Sequence, residues 1–169
     1  LRCPILLSCK QRRAVAAYDE VLDILPGSCA QVQDAWLGKA RAFSQLGNAT
    51  EAEAAYKASL HEDEDAVDGS ASETGTWRRR GAMEAQAALA ALAMTDGRAH
   101  EAVLHYTEAV EATEQEIATC GAAGSSDQQE AHDADELGYT LRTLRCHRAA
   151  ALLSVADYDG ALQDCDEVL

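Results

Sequence analysis

Small and apolar residues recur along the chain at helical spacing, and four segments share one design. They are Arg13-Ala-Val-Ala-Ala-Tyr-Asp-Glu-Val-Leu22, Glu51-Ala-Glu-Ala-Ala-Tyr-Lys-Ala-Ser-Leu60, Glu101-Ala-Val-Leu-His-Tyr-Thr-Glu-Ala-Val110 and Gly160-Ala-Leu-Gln-Asp-Cys-Asp-Glu-Val-Leu169. Each begins with an alanine (Ala14, Ala52, Ala102, Ala161) and carries Tyr18, Tyr56, Tyr106 or Cys165 four residues on, then a small or branched apolar residue and an aliphatic one. Steps of four, three and one place these positions on one helical face, so each segment is expected to be a helix. The alanine has to be small where a neighbouring helix crosses it, and the larger residue one turn later fills the space where the axes diverge. Burying one such tyrosine removes roughly 150–250 Å² from water, on the order of 4–6 kcal/mol before entropy is subtracted.

A second helical pattern precedes three of the segments. Asp34 to Leu46 runs ahead of Ala52 and is closed by Gly47-Asn48. Trp77 to Met94 runs ahead of Ala102 and is closed by Thr95-Asp96-Gly97. Leu141 to Val155 runs ahead of Ala161 and is closed by Ala156-Asp157. Glycine suits the left-handed position that ends a helix, and Asn48 or Thr50 can cap the helix that follows. Gaps this short make each pair an antiparallel helical hairpin.

Composition agrees. Of 169 residues 35 are alanine, while proline occurs twice and Phe, Trp and Tyr together eight times. That balance favours packed helices over a sandwich or barrel. The length suits about one domain or one short run of repeats. A formal net charge of −15 excludes a nucleic-acid partner and disfavours an anionic membrane, because both need clustered Lys and Arg. No apolar run approaches the roughly 20 residues of a membrane span. The chain opens Leu1-Arg2-Cys3-Pro4 without a signal-peptide pattern and stops at Leu169 inside a helical pattern, as a piece of a longer protein would. The six cysteines (3, 9, 29, 120, 146, 165) form no Cys-x-x-Cys pair, and their scatter suits reduced, partly buried thiols, with a disulfide in a secretory compartment as the alternative.

The hairpins resemble tetratricopeptide repeats. Trp36, Ala40, Phe43, Gly47, Ala52, Tyr56 and Leu60 stand at the signature aromatic, small and apolar positions. Ala14, Tyr18, Leu22 and Pro26 match the second half of an earlier unit. Ala90, Gly97, Ala102, Tyr106 and Ala109 match a third, and Ala149, Leu152, Asp157, Tyr158, Ala161 and Leu169 a fourth. The resemblance implies an all-α fold, a right-handed superhelical α-solenoid of antiparallel hairpins. Its parts are a partial repeat over 1–26, repeats over 31–62, 77–116 and 134–169, and flexible loops at 63–76 and 120–130. The alanines lie 38, 50 and 59 residues apart. Against a 34-residue unit, the linkers therefore hold about 4, 16 and 25 extra residues. The acidic, then Ser/Gly-rich stretch His61 to Thr76 reads as a solvated loop, and the third linker as lengthened helices around Cys120-Gly-Ala-Ala-Gly-Ser-Ser-Asp127.

Nothing in the chain forms a catalytic constellation. The histidines (61, 100, 105, 132, 147) lack metal-ligand spacing, and no nucleophile elbow or phosphate-binding glycine loop occurs. His61-Glu-Asp-Glu-Asp65 reads as a solvated acidic turn, without the ligand spacing of a calcium loop. No metal or cofactor is expected. Arg78-Arg79-Arg80 reads as an exposed helix start pairing with the acidic linker before it, and Arg142, Arg145 and Arg148 as a basic strip suited to an acidic peptide.

The resemblance implies a protein–protein interaction module whose inner wall, lined by the first helix of each hairpin, binds a peptide or client segment. Peptide-contacting positions then fall at Arg41, Gln45, Ala87, Ala91, Met94, Arg145 and His147. The last repeat, from Arg148 to Leu169, is similar to those of co-chaperones that carry a J domain, which implies a heat-shock chaperone or an unfolded client as partner. No His-Pro-Asp turn of a J domain occurs within the 169 residues. Ala87, Ala91 and His147 replace the lysine and asparagines with which some relatives clamp a carboxylate tail, and two alanines cannot donate hydrogen bonds. An apolar wall of Ala87, Ala91 and Met94 is suited to hydrophobic side chains instead. A structural subunit bridging partners in a larger assembly is the alternative. The expected compartment is the cytoplasm, with the endoplasmic reticulum lumen as the alternative.

Overall fold

The computed structural model describes residues 4–25, 30–61, 73–122 and 128–168. The regular structure among them is entirely helical: α1 (Pro4–Ile24), α2 (Ala30–Leu46), α3 (Ala49–His61), α4 (Glu73–Thr95), α5 (Ala99–Ala122), α6 (Gln128–Ser154) and α7 (Tyr158–Val168). The chain divides into two compact units, Leu1–Gly81 and Ala82–Leu169, with the division inside α4.

Three helix pairs, α2–α3, α4–α5 and α6–α7, are closed by the same turn. In each, one residue takes a left-handed backbone: Gly47 at φ 79°, Gly97 at φ 75° and Ala156 at φ 61°. Its amide donates to the carbonyl three residues earlier (Gly47 to Ser44, 3.1 Å; Gly97 to Met94, 3.2 Å; Ala156 to Leu153, 3.2 Å). The next amide donates to the carbonyl five residues earlier (Asn48 to Phe43, 3.0 Å; Arg98 to Ala93, 2.8 Å; Asp157 to Leu152, 2.9 Å). These paired bonds satisfy carbonyls that the helix end would otherwise leave open. The following helix starts at once, with Asn48, Arg98 or Asp157 at its cap position. Asp157 fills that role with its side chain, accepting the Gly160 amide on Oδ1 at 3.1 Å. Thr50 lies inside α3 rather than at its cap, and its hydroxyl donates to Glu51 Oε2 at 2.7 Å, which holds the Glu51 carboxyl below its ordinary range.

In the first unit α2 packs against both α1 and α3. Val32, Ala35, Leu37, Ala40 and Ala42 of α2 are buried, as are Ala52, Ala55 and Tyr56 of α3. Ala40 and Ala52 are wholly inaccessible, as the requirement for methyl-sized residues at helix crossings predicts. Gln33 is also buried, and its Nε2 donates to the Arg78 carbonyl of α4 at 3.5 Å. Gly81 makes room for it, since a Cβ there would lie 2.5 Å from Gln33 Cδ.

In the second unit, Ala90 and Ala93 of α4, Ala102, Tyr106, Ala109 and Val110 of α5, and Leu144 and Ala151 of α6 form one cluster. Ala149, Leu152 and Ala161 form another at the α6–α7 hairpin, with Val103 packed against both.

Several expectations are revised. Tyr56 and Tyr106 are buried, but Tyr18 is only half-buried and Cys165 is exposed. Cys9, Cys146 and Cys165 are free and exposed rather than partly buried. Of the stretch 63–76, residues 73–76 fall in α4. Of 120–130, residues 120–122 and 128–130 fall in α5 and α6. The remainder of both stretches, with Pro26, lies outside the described residues.

Candidate peptide-binding site

The close approach of α1 and α2 is set by one missing methyl group. A Cβ on Gly38 would lie 2.4 Å from Tyr18 Cζ and 2.6 Å from its hydroxyl oxygen, so the ring of Tyr18 rests directly on the α2 backbone. The crossing is braced by Lys39, whose Nζ lies 2.6 Å from Asp19 Oδ1 on α1 and 4.7 Å from the centroid of the Trp36 ring. Beside this contact lies a cleft of about 290 Å³, lined by Lys10, Gln11, Ala14 and Tyr18 of α1 and by Gly38, Arg41, Ala42 and Gln45 of α2.

The lining has a distinct chemistry. Tyr18, Ala14 and Ala42 give an apolar surface. Lys10 and Arg41 place positive charge on both helices, in a molecule whose net charge is −15. Gln11 Nε2 donates to Gln45 Oε1, tying the walls together, while Gln11 Oε1 is buried without a partner. The volume is near the lower bound, about 300 Å³, of small-ligand pockets, enough for one or two side chains of an extended segment.

Arg41 and Gln45, two of the expected contact positions, therefore meet in one cleft. The other five lie in the second unit. Ala87 and Met94 are partly buried against the α4–α5–α6 cluster, and Ala91 is exposed on α4. His147 is exposed on α6, its ring centroid 5.9 Å from that of Tyr106 and tilted by 42°. Burial pushes the Tyr106 phenol above its ordinary pKa. Arg145 is held by two acids, with Nη2 at 2.7 Å from Glu114 Oε1 and 2.8 Å from Glu167 Oε2. Arg148 is held by Asp164, so the Arg142–Arg145–Arg148 series presents one exposed guanidinium, Arg142, and two engaged ones. Arg78 sits in the second turn of α4, its guanidinium 5.2 Å from the Trp77 ring centroid.

Lys10, Gln11, Ala14, Tyr18 and Gly38 were not singled out as contact residues from sequence. Two features of the sequence could have found them: the basic cluster Lys10-Gln-Arg-Arg13 just before the motif alanine Ala14, and the glycine at position 38 within the helical pattern Asp34 to Leu46. Among the described residues no group of three or more His, Cys, Asp or Glu side chains is placed to hold a metal ion, and no helix is long and apolar enough to cross a membrane. Compared with protein-family models and with curated proteins, the chain matches none.

Proposed function

We propose that this chain is a protein–protein interaction module of the tetratricopeptide type, serving as a co-chaperone that takes an extended segment of a client. In this reading the three hairpins are repeat units of an α-solenoid. The recurrence of one turn geometry and of a buried alanine at the start of α3, α5 and α7 supports it. The observation that carries the functional part is the α1–α2 cleft. An extended chain offers backbone N–H and C=O groups to Gln11 and Gln45, an apolar side chain to Tyr18, and a carboxylate to Lys10 or Arg41.

The test is fluorescence anisotropy with a labelled, carboxymethylated and permanently unfolded polypeptide. Saturable binding is expected, and Arg41→Glu combined with Gln45→Ala should weaken it by about tenfold or more, equivalent to about 1.4 kcal/mol. Absence of binding up to about 100 µM overturns the reading in favour of a bridging subunit without chaperone activity. Equal binding by the variant removes the cleft from it.

A further inference from the structure

Asn48 is the sole asparagine of the 169 residues, and it begins the tripeptide Asn48-Ala49-Thr50, the acceptor pattern for an N-linked oligosaccharide. The pattern falls on the α2–α3 turn, a reversal between two interior helices, where Gly47, Asn48 and Thr50 are all exposed. The space around it is open, since a Cβ on Gly47 would meet nothing within 4 Å. The two sister turns share the backbone geometry but not the pattern, reading Arg98-Ala-His100 and Asp157-Tyr-Asp159 at the same positions.

The fold makes no use of the Asn48 side chain. Asparagine is among the best helix caps, because its side-chain oxygen can accept an amide of the first turn. Asp157 does this at the equivalent position before α7, accepting the Gly160 amide at 3.1 Å. The Asn48 side chain has no hydrogen bond among the described residues, and its turn is held by backbone bonds, Gly47 to Ser44 and Asn48 to Phe43. Thr50 presents its hydroxyl at the surface, where it donates to the neighbouring Glu51 carboxylate at 2.7 Å. A substituent on Asn48 Nδ2 therefore breaks no hydrogen bond of the hairpin.

We infer that Asn48 is an N-glycosylation site, modified while the chain is in the lumen of the endoplasmic reticulum. The donor is an oligosaccharide joined to a lipid through a diphosphate. Asn48 Nδ2 bonds to the anomeric carbon of the sugar as the bond from that carbon to the diphosphate oxygen breaks. The lipid diphosphate leaves with the electron pair, and one amide proton passes to a base of the transferase. The enzyme must read the Asn48 amide and the Thr50 hydroxyl along an opened backbone, and the first turn of α3 is the part of that helix that opens at least cost. The inference stands apart from the α1–α2 cleft, because no residue of the tripeptide lines it.

The test is mass spectrometry of the protein purified from the cells that produce it. Trypsin releases the peptide Ala42–Lys57, in which Asn48 is the one acceptor. The peptide is expected to carry hexose and N-acetylhexosamine. After peptide-N-glycosidase in heavy-oxygen water it should appear with a labelled aspartate in place of Asn48. Expressed in the same cells, Asn48→Gln and Thr50→Ala should each lose the glycosidase-sensitive shift on a gel, and Thr50→Ser should keep it. Both positions are exposed, and circular dichroism should show unchanged helix content. Recovery of the peptide with its asparagine unmodified throughout overturns the inference, as does a shift that survives Thr50→Ala. Should Asn48→Gln fail to fold, Thr50→Ala leaves Asn48 in place and decides alone.

Discussion

Arg148 holds Asp164 across the α6–α7 hairpin by two parallel hydrogen bonds, Nε to Oδ2 at 2.8 Å and Nη2 to Oδ1. Asp164 is only 2% exposed, so its charge would be buried without this partner. The bond to Asp164 also raises the Arg148 pKa above its ordinary value. Removing one partner of a buried pair costs about 3–5 kcal/mol, and the partly exposed guanidinium places this case near the lower end. Arg148→Ala is therefore expected to destabilise the second unit by about 2–4 kcal/mol in urea unfolding, while Arg148→Met with Asp164→Leu should recover most of the loss.

The three helix turns offer an internal comparison. Gly47 and Gly97 occupy the left-handed position without a side chain, whereas Ala156 holds φ 61° with one. An L-residue pays about 1–2 kcal/mol for that conformation, partly offset by the greater freedom glycine loses on folding. Ala156→Gly should stabilise the chain by about 0.5–1 kcal/mol, and Gly97→Ala should destabilise it by a similar amount, both read from thermal unfolding.

Gly38→Ala separates stability from binding. Alanine gains about 1 kcal/mol of helix propensity over glycine, but its Cβ overlaps the end of the Tyr18 ring. Tyr18 is half-buried, so the ring can swing outward at a cost comparable to the propensity gain. Stability should change by less than about 1 kcal/mol while client affinity falls by about tenfold, because the apolar wall of the cleft has moved.

Tyr106 gives a pH signature. Burial raises its pKa above the ordinary value of 10.0, so the folded state keeps the phenol proton at a pH where the unfolded chain loses it. This contribution is complete below about pH 10 and is lost as pH rises through the folded-state value. The melting temperature should be insensitive to this group from about pH 7 to 9 and decline above about 10, and Tyr106→Phe should remove that part of the decline.

Much of the helical arrangement was legible because Ala52, Ala102 and Ala161 recur at crossings where only a methyl group fits, and because Gly47 and Gly97 mark left-handed turns. Ala156 was legible only by its place in the pattern, since its side chain argues against that backbone. The exposure of Cys165 was not legible: its spacing equals that of Tyr56 and Tyr106, and burial depends on what a neighbouring element brings to it. The site was less legible still. Arg41 and Gln45 were named, but their cleft depends on α1, where Lys10, Gln11 and Tyr18 acquire a role only once Gly38 lets the helices approach. Arg145 and Arg148 read as a basic strip because sequence shows charges along one helix and not the acids that α5 and α7 bring against them.

Hydrogen–deuterium exchange of the chain with and without the unfolded polypeptide tests the central claim most directly. New protection is expected over Lys10–Tyr18 and Gly38–Gln45, and Arg41→Glu should abolish it. Client binding accompanied by protection only in the second unit, or by none in these two stretches, would contradict it.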